Sequence, residues 1–171
     1  MRSNARLILA TLLTLAVTAG VTLVAALPAS SVTWAPRTSN SFDSQADMDE
    51  FEARILLRVN RVRARRDLPR VRVFQSCVDN YAESWAQHLS RTETMQHRDL
   101  TKVINGCNLS WVGENLVSGT GLRPATAVRA WMNSPPHRTI LLKKRARWAG
   151  IGVRIGSDGR TYAVLNFGDH S

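Results

Sequence analysis

Three side chains in the middle of the sequence have the types needed for chemistry: His97, Glu114 and His137. Imidazole changes charge near neutral pH and is the commonest protein ligand for metal, and a carboxylate supplies oxygen ligands or a base. Their separations, 17 and 23 residues, match no compact ligand motif. His97 and His137 each lie next to chain-breaking residues, so a fold can bring them to one cleft with Glu114. Two imidazoles and one carboxylate leave a fourth position of a zinc ion open, the arrangement of a catalytic or exchangeable site. Glu114 cannot be a metal ligand and a free base at once. The alternative is a hydrogen-bonded structural cluster. His137 follows Pro135-Pro136 and belongs to a first helical turn, where the positive end of the dipole favours neutral imidazole. His88 and His170 read as structural or solvent-exposed. His97-Arg98-Asp99-Leu100 spells the opening of a kinase catalytic loop, but no glycine-rich loop, strand lysine or metal-binding aspartate accompanies it.

The elements that must position these residues follow from periodicity. Met48, Phe51, Ile55, Val59 and Val62 step by three and four, the stripe of one helix, with acids at its start and arginines at its end. Leu68-Pro69 ends it. Ser76-x-x-Asp79 resembles a capping box opening a second helix that buries Val78, Tyr81, Ala82, Trp85 and Leu89. Residues 92–123 read as irregular, broken by four glycines. Pro124 opens a third helix through Met132, and Pro135-Pro136 another turn through Leu142. Ile151, Val153 and Ile155 alternate, Gly156 to Gly159 turns, and Tyr162 to Phe167 is apolar on both faces. That is a hairpin whose second strand is covered on both sides. The expected fold is α+β, a three-layer α/β/α sandwich around a small antiparallel sheet.

Charge and cysteines add the setting. The chain of 171 residues carries 23 Lys and Arg against 13 Asp and Glu, a formal charge of +10. Arg2 and Arg6 precede the uncharged run Leu7–Leu27, an export pattern. Residues 1–29 are either a cleaved signal peptide or an N-terminal membrane anchor, and both readings make the protein secreted or membrane-anchored on the extracytoplasmic side. Residues 30–46, rich in Ser, Thr and Pro, read as a linker, and 47–171 as the folded domain. Cys77 and Cys107 exclude a four-cysteine zinc site; in an exported chain a disulfide is the default, with two structural thiols as the alternative. Arg54, Arg58, Arg61 and Arg65 recur at helical spacing away from the apolar stripe. They form a solvated face or a surface for an anionic envelope component; nucleic acid is not expected, since no recognition motif accompanies the charge.

Four blocks occur in order: His97; Gly113-Glu114-Asn115-Leu116; Ala130-Trp131-Met132-Asn133-Ser134-Pro135-Pro136-His137-Arg138; and Gly150-Ile151-Gly152-Val153 leading to Asn166-Phe167-Gly168. The set resembles the CAP superfamily (cysteine-rich secretory, antigen 5 and pathogenesis-related 1 proteins), or SCP domain, in its short bacterial form. The resemblance spans about residues 50–168 and implies the same α/β/α sandwich. It also implies a central cleft with two His and two acids, whose His pair binds a divalent metal such as zinc in some members. His97 and His137 match the histidines and Glu114 the first acid, with Asn115 beside it in the cleft. Ser134 stands where the second acid usually falls, so a four-residue acid/base set is not available. Two functions follow from the resemblance. The favoured one is an extracellular module that binds lipid, protein or an envelope component; the other is a metal-dependent hydrolase of peptide, ester or glycan bonds.

Overall fold

A computed structural model describes residues 44–72 and 76–170. The signal or anchor expected over 1–29, and residues 30–43 of the expected linker, lie outside the described residues. Helix α1 spans Gln45–Ala64, so Gln45 and Ala46, the end of that segment, are already helical. The side chain of Ser44 caps it by accepting from the Asp47 N–H. Phe51, Ile55, Leu56 and Val59 are buried, while Met48 and Val62 at the ends of the stripe are half-buried.

The remaining elements are α2 (Ser76–Thr92), α3 (Thr101–Gly106), β1 (Trp111–Thr120), α4 (Pro124–Asn133), α5 (Pro135–Leu141), β2 (Trp148–Ile155) and β3 (Arg160–Asp169). The expected hairpin is β2–β3, and β3 runs through the centre of an antiparallel sheet ordered β1-β3-β2. Nine consecutive β3 residues, Thr161 to Asp169, are buried, as a strand covered on both faces requires. The stretch 92–123 is not irregular: it holds α3 and the ten-residue strand β1. Strand β1 escapes a periodicity search because polar Glu114 and Asn115 are buried on opposite faces and Gly113 and Gly119 interrupt the apolar pattern.

Pairing of Leu116 with Val164 and of Glu114 with Asn166 sets these residues on the face covered by α2. Ala82, Ala86 and Leu89 of α2 pack there against Leu116, Tyr162 and Val164. The opposite face, with Ile151, Val153, Ala163, Leu165 and Phe167, packs against α1, Val128 and Trp131 of α4, and Leu141 of α5. Helix α2 lies almost on the backbone of β2. A Cβ at Gly150 would meet the Asp79 nitrogen at 2.4 Å, and one at Gly152 the Ala82 carbonyl oxygen at 2.4 Å. Both glycines are therefore requirements of close approach.

Asp79 has a task beyond the start of α2: its Oδ1 accepts from the Ile151 N–H on the outer edge of β2, at 3.0 Å. Glu52 of α1 accepts from the Val153 N–H two residues on, also at 3.0 Å. Reaching the same edge from the other helix layer brings Glu52 close to Glu83 of α2. Burial first, and then the Glu83 carboxylate, push the Glu52 carboxyl up to about 9.

Cys77 and Cys107 form a disulfide that joins the start of α2 to the residue after α3. Arg63, inside the arginine run, is wholly buried. It donates to the carbonyls of Pro69 (2.9 Å), Leu141 (2.8 Å) and Lys143 (3.0 Å). Burial lowers its pKa, with Arg147 adding to the effect. The five-donor fork suits such a carbonyl cradle where lysine would not.

Candidate functional site

The candidate site is built around β1. Pairing with β3 fixes Glu114 toward the α2 side, where the chain leaving α2 delivers His97 and Arg98. The His97 Nδ1 and Glu114 Oε1 are 2.8 Å apart. The His97 side chain is 57% exposed, that of Arg98 8%, and that of Glu114 fully buried. A buried carboxylate thus holds one nitrogen of an imidazole whose other edge faces solvent. That is the arrangement by which proteins fix a tautomer and ring orientation.

Arg98 is the residue the sequence reading passed over. Its Nε stands 3.7 Å from Glu114 Oε2, an ion-pair contact beyond hydrogen-bond length. The guanidinium lies 4.7 Å from the Trp85 ring centroid and 5.4 Å from that of Tyr81, and it donates to the Tyr81 carbonyl. Trp85 in turn donates to the Gln96 carbonyl at 3.1 Å, fastening the segment that carries His97. Burial raises the Glu114 pKa; the His97 hydrogen bond and charge, and then Arg98, oppose that rise. Burial lowers the Arg98 pKa, and Glu114 opposes that in turn. Each member of the pair makes the other's charge tolerable. The only sequence signal for Arg98 was adjacency to His97, shared with a motif that means something else in another fold.

His137 enters from α5, on the other side of β1. Asn115 Nδ2 donates to the His137 carbonyl at 3.2 Å, binding α5 to the strand, and Trp131 Nε1 of α4 donates to the Leu116 carbonyl at 2.9 Å. Burial, followed by the charge of His97, lowers the His137 pKa. That shift favours the neutral form of its ring. Ser134 is the joint between α4 and α5, in extended conformation (φ −95°, ψ 116°), as the residue before a proline prefers. Its N–H closes α4 on Ala130 and Trp131, and its carbonyl accepts from Arg138 to start α5. Ser134 therefore sets the direction from which His137 arrives.

Among the described residues, no group of three His, Cys, Asp or Glu side chains is gathered so as to hold a metal ion. The Glu114 carboxylate is turned to His97 and Arg98. What remains for a metal is the free nitrogen of His97 and the ring of His137.

This is an α/β/α sandwich with a buried carboxylate, Glu114, on an outer strand of its sheet, hydrogen-bonded to His97. The sequence profile of the cysteine-rich secretory protein family, CAP, matches residues 56–167, and the chain belongs to that family. A search of curated proteins gave no match. Among solved structures, the fold is similar to an outer surface protein of Borrelia burgdorferi (TM-score 0.65, 20% identity, covering 71% of this chain and 94% of that one). It is similar too to an extracellular protein of Bacillus anthracis containing an SCP domain (TM-score 0.62, 20% identity), over 74% of this chain but 44% of that longer one. A third neighbour is NaASP2, solved with Zn2+ (TM-score 0.58, 14% identity, 70% of this chain and 80% of that one). At these identities the likeness is one of fold.

Proposed function

We propose that this CAP domain is an extracytoplasmic binding module whose cleft presents two imidazoles, His97 and His137, to a ligand or divalent ion. The observation that carries the reading is the 2.8 Å bond between His97 and buried Glu114. It gives Glu114 the task of orienting a histidine, and a carboxylate so engaged with His97 and Arg98 is poorly placed to activate water. A divalent ion such as zinc would be held by His97 and His137, with solvent completing its shell, and would act as a Lewis acid when bound. The zinc-containing neighbour and the outer-surface and extracellular neighbours support this reading without extending their ligands to this chain.

Thermal unfolding of the full chain with and without zinc tests it. A ligand at about 100-fold its dissociation constant stabilises by about 2.7 kcal/mol, so the shift is readable. His97→Ala and His137→Ala should abolish the shift, Glu114→Gln should weaken it, and Ser134→Ala should leave it nearly intact. Zinc-dependent cleavage of peptide, ester or glycan that disappears in His137→Ala would replace this reading with the hydrolase one. A melting point indifferent to zinc would remove the metal from it.

A further inference from the structure

The fold brings together two basic segments that lie far apart in the sequence. One is the end of α1 with the loop after it, Arg58 to Arg72; the other is Lys143-Lys144-Arg145-Ala146-Arg147. Buried Arg63 joins them through the Leu141 and Lys143 carbonyls, and the Arg72 N–H donates to the Arg147 carbonyl at 2.8 Å. Asn60 fastens the intervening loop from α1, donating to the Val71 carbonyl at 3.1 Å and accepting from its N–H at 2.8 Å. The result is a braced platform. Arg58, Arg61, Arg65, Arg66, Arg70, Arg72, Lys143, Lys144 and Arg147 are all exposed on these segments, with Asp67 as the single exposed acid among them. None of the nine takes part in an ion pair among the described residues. By contrast Arg54, nearer the acidic start of α1, is paired with Glu50, and Arg145 with Asp169.

We infer that this composite surface docks the domain on the headgroups of an anionic phospholipid bilayer. Charge complementarity is the first argument: clustered, unpaired Lys and Arg on a fixed surface are attracted to anionic lipid within a Debye length. The second is the chain outside the described residues. The apolar run Leu7–Leu27 is long enough to enter a bilayer, and 17 residues, 28–44, separate it from α1. A segment of that length reaches at most about 60 Å. Helix α1, with 20 residues, is about 30 Å long. Where the run is kept as an anchor, the tether allows the basic end of α1 to reach the bilayer that holds it. The surface is separate from the cleft, whose failure to bind zinc would leave this inference standing.

The test uses the full chain in lipid nanodiscs of phosphatidylcholine alone or with one third phosphatidylglycerol, followed by amide hydrogen exchange. Peptides covering 58–72 and 143–147 should exchange at least about threefold more slowly in the anionic discs. Half-molar salt should erase the difference, because it contracts the Debye length to a few ångströms. Arg61→Glu/Arg65→Glu/Lys144→Glu should erase it too, while Lys102→Glu on α3 should preserve it. All these residues are exposed, and an unchanged melting curve for the triple variant shows that it still folds. Equal exchange in the two discs, or protection that survives salt or the triple reversal, overturns the inference. Protection by a soluble anionic wall polymer with none from the anionic discs overturns it in favour of the polymer.

Discussion

The guanidinium of Arg98 stands 3.7 Å from the carboxylate of Glu114, at a place where neither side chain has much access to water. The pair supports the cleft from behind: Glu114 orients His97, and Arg98, stacked against Trp85 and Tyr81, keeps a negative charge acceptable at the position of Glu114. Removing one member of a buried pair leaves the other uncompensated, which usually costs more than the pair contributes.

Arg98→Leu should accordingly destabilise the domain by about 3 kcal/mol in urea unfolding. Adding Glu114→Gln to that variant should recover much of the loss, since the stranded charge is gone. Equal instability of the single and double variants would show that the stacking on Trp85 and Tyr81, and not the ion pair, carries the energy.

Glu52 gives the stability a pH dependence of known sign. Its carboxyl titrates at about 9 in the folded protein against an ordinary 4.5, so the folded chain holds a proton that the unfolded chain releases. That contribution is complete below about pH 4.5 and is lost as pH climbs toward 9, at no more than about 1.4 kcal/mol per pH unit for one proton. Glu52→Gln keeps a carbonyl to accept from the Val153 N–H and cannot titrate. Its melting temperature should gain on the wild type steadily from pH 5 to pH 9. Parallel curves would show that Glu52 carries no such proton.

The Cys77–Cys107 bridge closes a loop with a sequence separation of 30. Replacing both cysteines with serine should cost roughly 3–4 kcal/mol by loss of cross-link entropy. Chemical unfolding of the oxidised wild type beside the double variant measures it, and intact mass after alkylation confirms the bridge.

Gly152→Ala should destabilise by roughly 1–3 kcal/mol, because the added methyl meets the α2 backbone, which cannot rotate aside as a side chain can. Gly119→Ala, whose Cβ would meet only Leu122 Cδ1 at 3.9 Å, serves as the comparison. If the two changes cost the same, backbone contact between α2 and β2 is not what the glycine at 152 serves.

Much of the sandwich was legible because its signals are local. The stripe from Phe51 to Val59, the prolines at 124 and 135, and the Gly156–Gly159 turn each act within a few residues. Strand β1 was not legible, since Glu114 and Asn115 are polar and their burial depends on partners from the segment after α2 and from α5. The three candidate residues stand out by type, but only the fold assigns Glu114 to His97 and adds Arg98 behind it. Arg63 stands four residues after Val59, in line with the buried stripe of α1, so its direction is a matter of spacing; the carbonyls that receive it, from Pro69, Leu141 and Lys143, are not local and were not legible.

The carboxyl groups of Asp79 and Glu52, which occupy the Ile151 and Val153 N–H groups, also decide how large this sheet can become. An open strand edge is a template for another chain, and proteins that leave one bare invite polymerisation. Here two helices from opposite layers close the rim of β2 with side chains, so a passing extended segment finds those donors already engaged. The three-stranded sheet thereby has a built-in stop, and the protonated Glu52 is part of that seal.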